Sequence, residues 1–219
     1  MKEENLRKKE PKPYPTEQHV INELNDVDFS GTYSYAQYLK WEFDERVELI
    51  KGKIFPMGAP TLNHQDVAGN IFGELRLFLK GKVCKVYIAP ADVRFPTGSA
   101  ADGDVYTVLQ PDVFVVCDLT KLELKGCVGA PDLIVEVLSP SNHKMELKRK
   151  FEVYQEFGVK EYWIVDLKKR LFIKYILLEN GLFGPPMHFY DGDQITSEVL
   201  PGFQMNTNEV FLDLLTHKS

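Results

Sequence analysis

The sequence predicts a mixed α/β domain in which helices flank a central β-sheet. A strongly helical segment comes first, several strand-like segments follow it, and a second helix leads into further strands. With 219 residues, 44% of them hydrophobic, the chain can bury one substantial core. We therefore expect a polar N-terminal arm over residues 1–30 and a single domain over residues 31–219, with its core at about residues 35–178.

The N-terminal third contains an arm, a short helix, a strand pair and a long helix. The first 30 residues are charged, contain several prolines and show little periodicity, so we expect them to be loosely attached. Residues 34–45 favour a short helix, and residues 47–57 favour a pair of strands. The strongest helical periodicity covers residues 63–79, with Asn63 as the expected N-cap.

Strands and a second helix occupy most of the remaining chain. We expect the strands at residues 82–89, 91–95, 113–116, 133–138, 162–166 and 171–177. The second helix is expected to begin at Ser141 or Asn142 and to end at Gly158, a residue type that commonly terminates helices. The segment after residue 177 is rich in Gly and Pro, which predicts loops with one or two edge strands.

The charge balance limits how this chain could bind nucleic acid. It has 26 basic and 32 acidic residues, so its formal net charge is −6. Indiscriminate binding to phosphate backbones normally depends on an excess of Lys and Arg. Residues 144–150 and 168–170 are candidate basic patches, and each also fits a simpler interpretation as a solvated helix face or a turn.

Cysteine use and hydropathy favour a cytoplasmic protein. Cys84, Cys117 and Cys127 have no metal-ligand spacing, and their odd number argues against a disulfide framework. No apolar run approaches the roughly 20 residues of a membrane span, so we expect no membrane partner. The N-terminus also lacks the apolar stretch of a signal peptide.

Two acidic residues lie within otherwise apolar predicted strands. Asp112 occurs in Gln-Pro-Asp-Val-Phe-Val-Val, and Glu136 occurs in Asp-Leu-Ile-Val-Glu-Val-Leu. An ionised carboxylate in such surroundings is costly unless a cation or several hydrogen bonds compensate it. Two such residues, followed by a helix that carries lysines, predict a site for a hard divalent cation that acts on phosphate.

Strand geometry allows these two carboxylates to meet. Side chains alternate between the faces of a strand, so Asp112 shares a face with Phe114, and Glu136 shares one with Ile134. If the strands are adjacent, both carboxylates can bind one cation, with the backbone carbonyl of Val137 as a third oxygen ligand. Magnesium, or manganese, suits this arrangement because magnesium typically takes one or two carboxylates and keeps several waters.

Lys150 is the candidate basic residue on the second helix. It lies three residues after Leu147 and four before Tyr154, so it shares the face that is expected to meet the sheet. There its ammonium could stabilise the charge of a phosphate transition state. The alternative is an ion pair with Glu146 on a solvated face. We interpret Tyr154 itself as a core residue.

Several segments resemble a known family. They are Val47-Glu-Leu-Ile-Lys-Gly-Lys-Ile54, Asn63-His64, Val135-Glu-Val-Leu-Ser-Pro-Ser141, Glu146-Leu-Lys-Arg-Lys-Phe-Glu-Val-Tyr154 and Phe157-Gly-Val-Lys-Glu-Tyr-Trp-Ile-Val-Asp166. Together they resemble the Uma-type endonucleases of the PD-(D/E)XK superfamily, over roughly residues 35–177. The resemblance implies a restriction endonuclease-like fold with an αβββαβ core. It also implies metal-dependent hydrolysis of phosphodiester bonds, with DNA as the expected substrate.

The resemblance assigns roles to individual residues. Pro111-Asp112 matches the PD element, and Glu136 matches the acidic residue of the second element. The signature lysine, however, falls at Leu138, which cannot act in catalysis. Members of the superfamily relocate this lysine to the following helix, and Lys150 fits that position.

Further polar residues match recurrent family positions. Glu146 matches an often acidic position and could assist catalysis, while Glu48 could be an additional carboxylate near the metal or an exposed hairpin charge. His64 could orient the site or contact phosphate, or it could serve as an ordinary hydrogen-bonding residue at a helix start. Asp132 also follows a proline, but it lies about 13 Å from Glu136 along one strand. We therefore expect Asp132 to form hydrogen bonds at the strand end.

Three functions are compatible with this pattern. The leading interpretation is a magnesium- or manganese-dependent endonuclease, and a homodimer would provide the two active sites that cutting a duplex requires. The second is a nuclease fold without catalysis that serves in binding or assembly, which the missing signature lysine favours. The third is a metal-dependent hydrolase of small phosphoesters. The fold alone does not choose among them, because function resides in the site.

Overall fold

The structure is a computed structural model that describes residue 21, residues 23–138 and residues 144–215. Within these residues it is a mixed α/β structure, so the predicted fold class is confirmed. No helix in the described part of the chain has both the length and the apolar character that crossing a membrane requires.

Most of the predicted N-terminal arm, residues 1–20 and 22, lies outside the described residues. In the described end of the expected arm, Leu24–Asp26 form a 3-10 turn. Val27 is buried in a small cluster with Tyr35, in the part of the chain expected to belong to the arm. The division into arm and domain at residue 30 stays a prediction.

The described residues form four helices, two 3-10 turns and fourteen strands. The helices are α1 (Tyr35–Tyr38), α2 (Leu62–Leu79), α3 (Lys144–Glu156) and α4 (Thr207–Val210), with a further 3-10 turn at Leu119–Lys121. The strands of the first half are β1 (Val47–Ile50), β2 (Lys53–Pro56), β3 (Lys85–Ile88), β4 (Val93–Arg94), β5 (Val108–Leu109), β6 (Val113–Val116), β7 (Leu122–Glu123) and β8 (Gly126–Val128). Those of the second half are β9 (Leu133–Leu138), β10 (Glu161–Asp166), β11 (Leu171–Ile176), β12 (Met187–Phe189), β13 (Gln194–Thr196) and β14 (Gln204–Asn206).

The central sheet has the strand order β12-β11-β10-β9-β6-β3. Strands β9 and β10 are parallel, and the other neighbouring pairs are antiparallel. Helix α3 connects the parallel pair, as a crossover between parallel strands requires. The chain thus follows the order α2, β3, β6, β9, α3, β10, which is the αβββαβ core that the family resemblance implies.

A second sheet is inserted into this core, with the order β2-β1-β5-β4-β8-β7. Its first hairpin turns through Lys51 and Gly52, whose φ values of 51° and 78° are both in the left-handed region. Two such residues are typical of the tight turn that matches strand twist. A Cβ atom at Gly52 would also collide with the side chain of Thr32, so glycine is needed there. The hairpin positions Glu48 in β1.

Hydrophobic clusters cover both faces of the central sheet. On one face, Ile71 of α2 lies in a cluster with Val135 of β9. On the other, Tyr154 of α3 lies in a cluster with Phe114 and Ile134. The alternation predicted for β6 and β9 is therefore confirmed, and Asp112 and Glu136 are in register with the residues that face α3.

Several predicted boundaries differ from the observed ones. Helix α1 ends at Tyr38, well before residue 45, and the short strands β5, β7 and β8 were not predicted. Thr61 rather than Asn63 caps α2, because its hydroxyl accepts a hydrogen bond from the His64 amide at 3.3 Å. Asn63 instead bonds the backbone of Leu215. The expected starts of the second helix, Ser141 and Asn142, lie outside the described residues.

Cys84 and Cys117 form a disulfide between β3 and β6. Lys85 pairs with Val116, so the next position in the register places the two cysteines directly opposite each other. Cys127 is free and buried. The argument from an odd number of cysteines was therefore wrong for this pair, because strand register rather than the cysteine count brings the sulfurs together.

Candidate active site

Strands β6 and β9 bring the two predicted carboxylates to the same edge of the sheet. Val113 pairs with Val135, so the next position in this antiparallel register places Asp112 across from Glu136. Directly opposed residues in antiparallel strands project from the same face. One carboxylate oxygen of Asp112, Oδ2, also accepts a hydrogen bond from the amide of Val137 at 2.7 Å. The two acidic side chains are thus neighbours on one face.

Glu136 is almost fully buried, with 5% of its surface exposed. The ammonium of Lys150 donates hydrogen bonds to both of its carboxylate oxygens, at 3.0 and 3.2 Å. The hydroxyl of Tyr154 donates a further hydrogen bond to Oε1, at 2.5 Å. Because Lys150 and Tyr154 are four residues apart on α3, one helix face fixes the orientation of this carboxylate.

Glu48 is the second buried partner of Lys150. Its Oε1 atom lies 2.9 Å from the ammonium of Lys150 and accepts a hydrogen bond from the amide of Gln110, also at 2.9 Å. Only 3% of the residue is exposed, so the alternative of an exposed hairpin charge was wrong. Lys150 is equally buried and links Glu48 with Glu136, and no ion pair with Glu146 forms among the described residues.

The buried charges at this site shift each other's pKa values. Burial raises the pKa of Glu136 to about 8, and the charges of Asp112 and Glu48 add to this effect although Lys150 opposes it. Burial would lower the pKa of Lys150, but the charges of Glu136 and Glu48 raise it well above its ordinary value. The ammonium of Lys150 is thus bonded to two carboxylates and lies near the charge of a third, that of Asp112.

His64 lies in the first turn of α2, where it contacts Asp112. Its Nε2 atom is 3.2 Å from Oδ2 of Asp112. Burial would lower the pKa of His64, but the hydrogen bond to Asp112 and the charges of Asp112 and Glu136 outweigh it and raise that pKa. The other ring nitrogen, Nδ1, is buried and has no hydrogen-bond partner among the described residues.

Several of the side chains described above line one cavity of about 380 Å³. Its charged and titratable lining residues are Arg46, His64, Asp112, Glu136, Glu146 and Lys150. Val137 also lines the cavity, whereas Glu48 is not among its lining residues and contacts Lys150. Leu138, at the signature lysine position, packs against the hydrophobic cluster beneath α3.

Oxygen donors are the kind that a hard divalent cation takes. In the described part of the chain, no three His, Cys, Asp or Glu side chains are grouped so as to hold a metal ion. The residues that could hold one are the two carboxylates of Asp112 and Glu136, together with the backbone carbonyl of Val137. Magnesium commonly binds through only one or two carboxylates and retains waters, so two side chains suffice.

Comparison with known proteins places this chain in a family. A family model described as "Uma2: Putative restriction endonuclease" matches residues 35–208. The chain belongs to the Uma2 family. The predicted family is therefore confirmed, and it is a family of nuclease-like proteins.

Two proteins of Synechocystis sp. are similar to this chain in sequence. The Uma2 chain is 31% identical over 123 residues to the uncharacterized protein slr1290 of Synechocystis sp., and 29% identical over 136 residues to sll1609 of the same organism. These matches cover 55% and 60% of the chain, and 61% and 73% of the two relatives.

A crystal structure described as a putative nuclease belonging to DUF820, from Anabaena variabilis, superposes with a TM-score of 0.64 at 16% sequence identity. The match covers 82% of the Uma2 chain and 97% of that chain. At this identity the likeness shows the fold, which is restriction endonuclease-like, as predicted.

The competing acidic residue, Asp132, has a structural role in this Uma2 protein. Its carboxylate accepts hydrogen bonds from the amide of Cys117 and the ammonium of Lys160, both at 2.7 Å. It does not line the cavity that contains Asp112. The expected hydrogen bonding at the strand end is confirmed.

The candidate basic patches consist largely of paired side chains. Lys169 lies 3.1 Å from Asp166, and Arg170 lies 3.0 Å from Asp191. On α3, Lys148 is exposed and 3.8 Å from Glu152. These contacts agree with the simpler interpretation of a turn and a solvated helix face, with Lys150 as the buried exception.

Sequence reasoning missed two features of the site. Tyr154 was interpreted as core alone, although its position four residues after Lys150 could have indicated a contact with the same carboxylate. Arg46 was not singled out, yet it immediately precedes β1, lies two residues before Glu48 and lines the cavity. In each case the signal was a short spacing from a residue that had been singled out.

Proposed function

We propose that this Uma2 protein is a magnesium- or manganese-dependent nuclease that hydrolyses phosphodiester bonds in DNA. The observation that supports this most strongly is the meeting of Asp112 and Glu136 on one face of the sheet, with Lys150 bonded to Glu136. Family membership supports the nuclease class. The cavity, with the carboxylates of Asp112 and Glu136 and the ammonium of Lys150 in its lining, supports a metal ion and a phosphate as its occupants.

In this proposal, Asp112, Glu136 and the carbonyl of Val137 would hold the cation. When bound, such a cation polarises a phosphate oxygen and lowers the pKa of a coordinated water. Tyr154 and Lys150 keep Glu136 in one orientation, and His64 does the same for Asp112. Preorganised ligands of this kind need no rearrangement during the reaction.

Lys150 is the residue that would stabilise the transition state. Its ammonium is buried at the wall of the cavity, where electrostatic interactions are stronger than in water. The proton remains on Lys150, because Glu136 and Glu48 raise its pKa. The ammonium can therefore donate a hydrogen bond to the charge that develops on the phosphate oxygens as the nucleophile attacks.

A cleavage assay with matched variants tests this function. Wild type, Asp112→Asn and Asp132→Asn are incubated with single- and double-stranded DNA and with RNA, in Mg²⁺, Mn²⁺ or EDTA. We expect wild type and Asp132→Asn to cleave DNA only with a metal ion, and Asp112→Asn to be inactive. Equal cleavage by Asp112→Asn and wild type would show that the site is wrongly assigned.

One observation favours a second candidate function, a nuclease fold that binds without catalysis. The ammonium of Lys150 is engaged by both Glu48 and Glu136, and Leu138 provides no replacement. In that case the cluster serves stability, and no cleavage occurs with any metal. The absence of binding in a calorimetric titration with millimolar Mg²⁺ or Mn²⁺ would favour this candidate.

A further inference from the structure

The cavity has a further basic residue, Arg46, which forms no ion pair with a carboxylate among the described residues. Arg46 immediately precedes β1 and lines the cavity together with Asp112 and Glu136. Its Nε and Nη2 atoms both donate hydrogen bonds to Oε1 of Gln110, at 2.9 and 2.6 Å. In the described part of the chain Arg46 forms no ion pair, and its Nη1 atom has no hydrogen-bond acceptor.

Gln110 is itself held by a partly buried hydrogen-bond network. Its side-chain nitrogen donates hydrogen bonds to Oδ1 of Asp92 at 2.9 Å and to the hydroxyl of Tyr38 at 3.2 Å. Asp92 also accepts a hydrogen bond from the hydroxyl of Tyr35 at 3.0 Å. Because an ionised carboxylate only accepts, the amide nitrogen of Gln110 must face Asp92, and its oxygen must then face Arg46.

This arrangement fixes a guanidinium along one edge, and the rest of its donors have no acceptor in the part of the chain that the structure describes. An amide oxygen orients Arg46 without cancelling its charge, whereas a carboxylate in that place would cancel it. A fixed, positively charged fork suits phosphate, which guanidinium groups bind through paired hydrogen bonds. The same cavity contains the proposed metal ligands, so a phosphate group bound there would lie near Arg46 and near those ligands.

We propose that Arg46 binds a phosphate group of the nucleic-acid substrate and that Gln110, held by Asp92, positions its guanidinium. This inference rests on the proposed nuclease function and names a residue that binds the substrate backbone. Arg46 makes a charge contact with phosphate and does not read the base sequence.

Binding measurements with the full-length chain test this assignment. A Glu136→Gln background prevents cleavage, and fluorescence anisotropy reports binding of a labelled DNA oligonucleotide over a series of KCl concentrations. Arg46→Ala should weaken binding about tenfold and reduce the slope of log K against log salt by about 0.7 to 0.9, the amount expected for one phosphate contact. Arg46→Lys should keep the slope but bind more weakly, because lysine cannot form the fork.

Two further variants separate charge from position. Gln110→Ala keeps the charge of Arg46 but removes the amide oxygen that orients it, so we expect weaker DNA binding with an unchanged salt slope. Arg170→Ala removes an equal charge outside the cavity, where Arg170 pairs with Asp191, and should bind as the parent does. Thermal unfolding of each variant shows whether it is folded.

The outcomes distinguish this inference from the proposed function. If folded Arg46→Ala has the affinity and salt slope of Arg170→Ala, Arg46 does not bind phosphate, although wild-type cleavage would still support a nuclease. If folded Gln110→Ala binds like its parent, the positioning role is wrong. If the parent binds neither DNA nor RNA, the proposed function fails, and this inference fails with it.

Discussion

Asp112 and Asp132 form equivalent hydrogen bonds at opposite ends of the β6–β9 strand pair. Asp112 accepts from the amide of Val137 and Asp132 accepts from the amide of Cys117, each at 2.7 Å. Both follow a proline and precede a strand. Only Asp112 lines the cavity, whereas Asp132 pairs with Lys160. The same local pattern therefore serves a candidate metal site at one end and structure alone at the other.

The contrast between Asp112 and Asp132 predicts that matched Asp→Asn substitutions differ in their effects on metal binding. Asp112→Asn should weaken Mg²⁺ or Mn²⁺ binding at least about tenfold, because it removes a charged oxygen ligand. Asp132→Asn should leave the metal affinity unchanged but lower the free energy of unfolding by about 1–3 kcal/mol, since its hydrogen bonds are partly buried. Isothermal titration calorimetry and urea unfolding measure the two quantities. Equal losses of metal affinity in both variants would contradict the assignment.

Removal of the buried ammonium should destabilise the fold. Lys150→Met leaves Glu48 and Glu136 without their cation, so we expect the free energy of unfolding to fall by about 3–5 kcal/mol in urea denaturation. Adding Glu48→Gln to this variant should recover part of the loss. Lys148→Met, on the exposed face of α3, should change stability by less than about 0.5 kcal/mol. A fully stable Lys150→Met variant would contradict the buried charge network.

His64 should titrate above its ordinary pKa of about 6.5. Burial opposes its protonation, but Asp112 outweighs this and raises the pKa. The pair therefore stabilises the fold fully below the unfolded-state pKa, and this contribution is lost as pH rises through the folded-state value. NMR titration of wild type and Asp112→Asn measures the effect. The pKa of His64 should fall in the variant, and an unchanged value would mean that the contact is not formed.

Long periodic segments made much of this fold predictable. Helix α2 has an apolar pattern that defines both the element and its buried face, and the short branched run of β9 is typical of a central strand. Alternation grouped Glu136 with Ile134, which lies on the face that α3 covers. The lysine on α3 followed from helical spacing in the same way. Strands of two or three residues, such as β5 and β8, contain too few positions for any periodicity to appear.

Contacts between distant segments were beyond the reach of sequence patterns. Arg46 and Gln110 are 64 positions apart, and Gln110 and Asp92 are 18 apart. Each pair depends on the register of strands in the second sheet, which no local spacing reveals. The disulfide between Cys84 and Cys117 was missed for the same reason. Glu48 was assigned a place near the metal by resemblance alone, and its burial against Lys150 needed the three-dimensional structure.

Cys127 should resist alkylation in the folded protein. Burial raises the pKa of its thiol to about 11 from an ordinary value of 9.0, although Lys121 and Arg94 oppose the shift. At pH 8 its thiolate fraction is therefore about 100-fold lower than that of an ordinary thiol. Iodoacetamide labelling followed by mass spectrometry should show slow modification that accelerates as pH rises towards 11, and rapid modification in urea. Rapid labelling of native protein at pH 8 would contradict this burial.

The hairpin that carries Glu48 belongs to the inserted sheet, yet its carboxylate touches the ammonium that α3 presents to the central sheet. A fragment beginning at Pro60 would retain every strand of the central sheet and still lack one counter-ion of Lys150. Proteolytic nicking in the segment between β2 and α2 could thus leave the two pieces associated through this salt link.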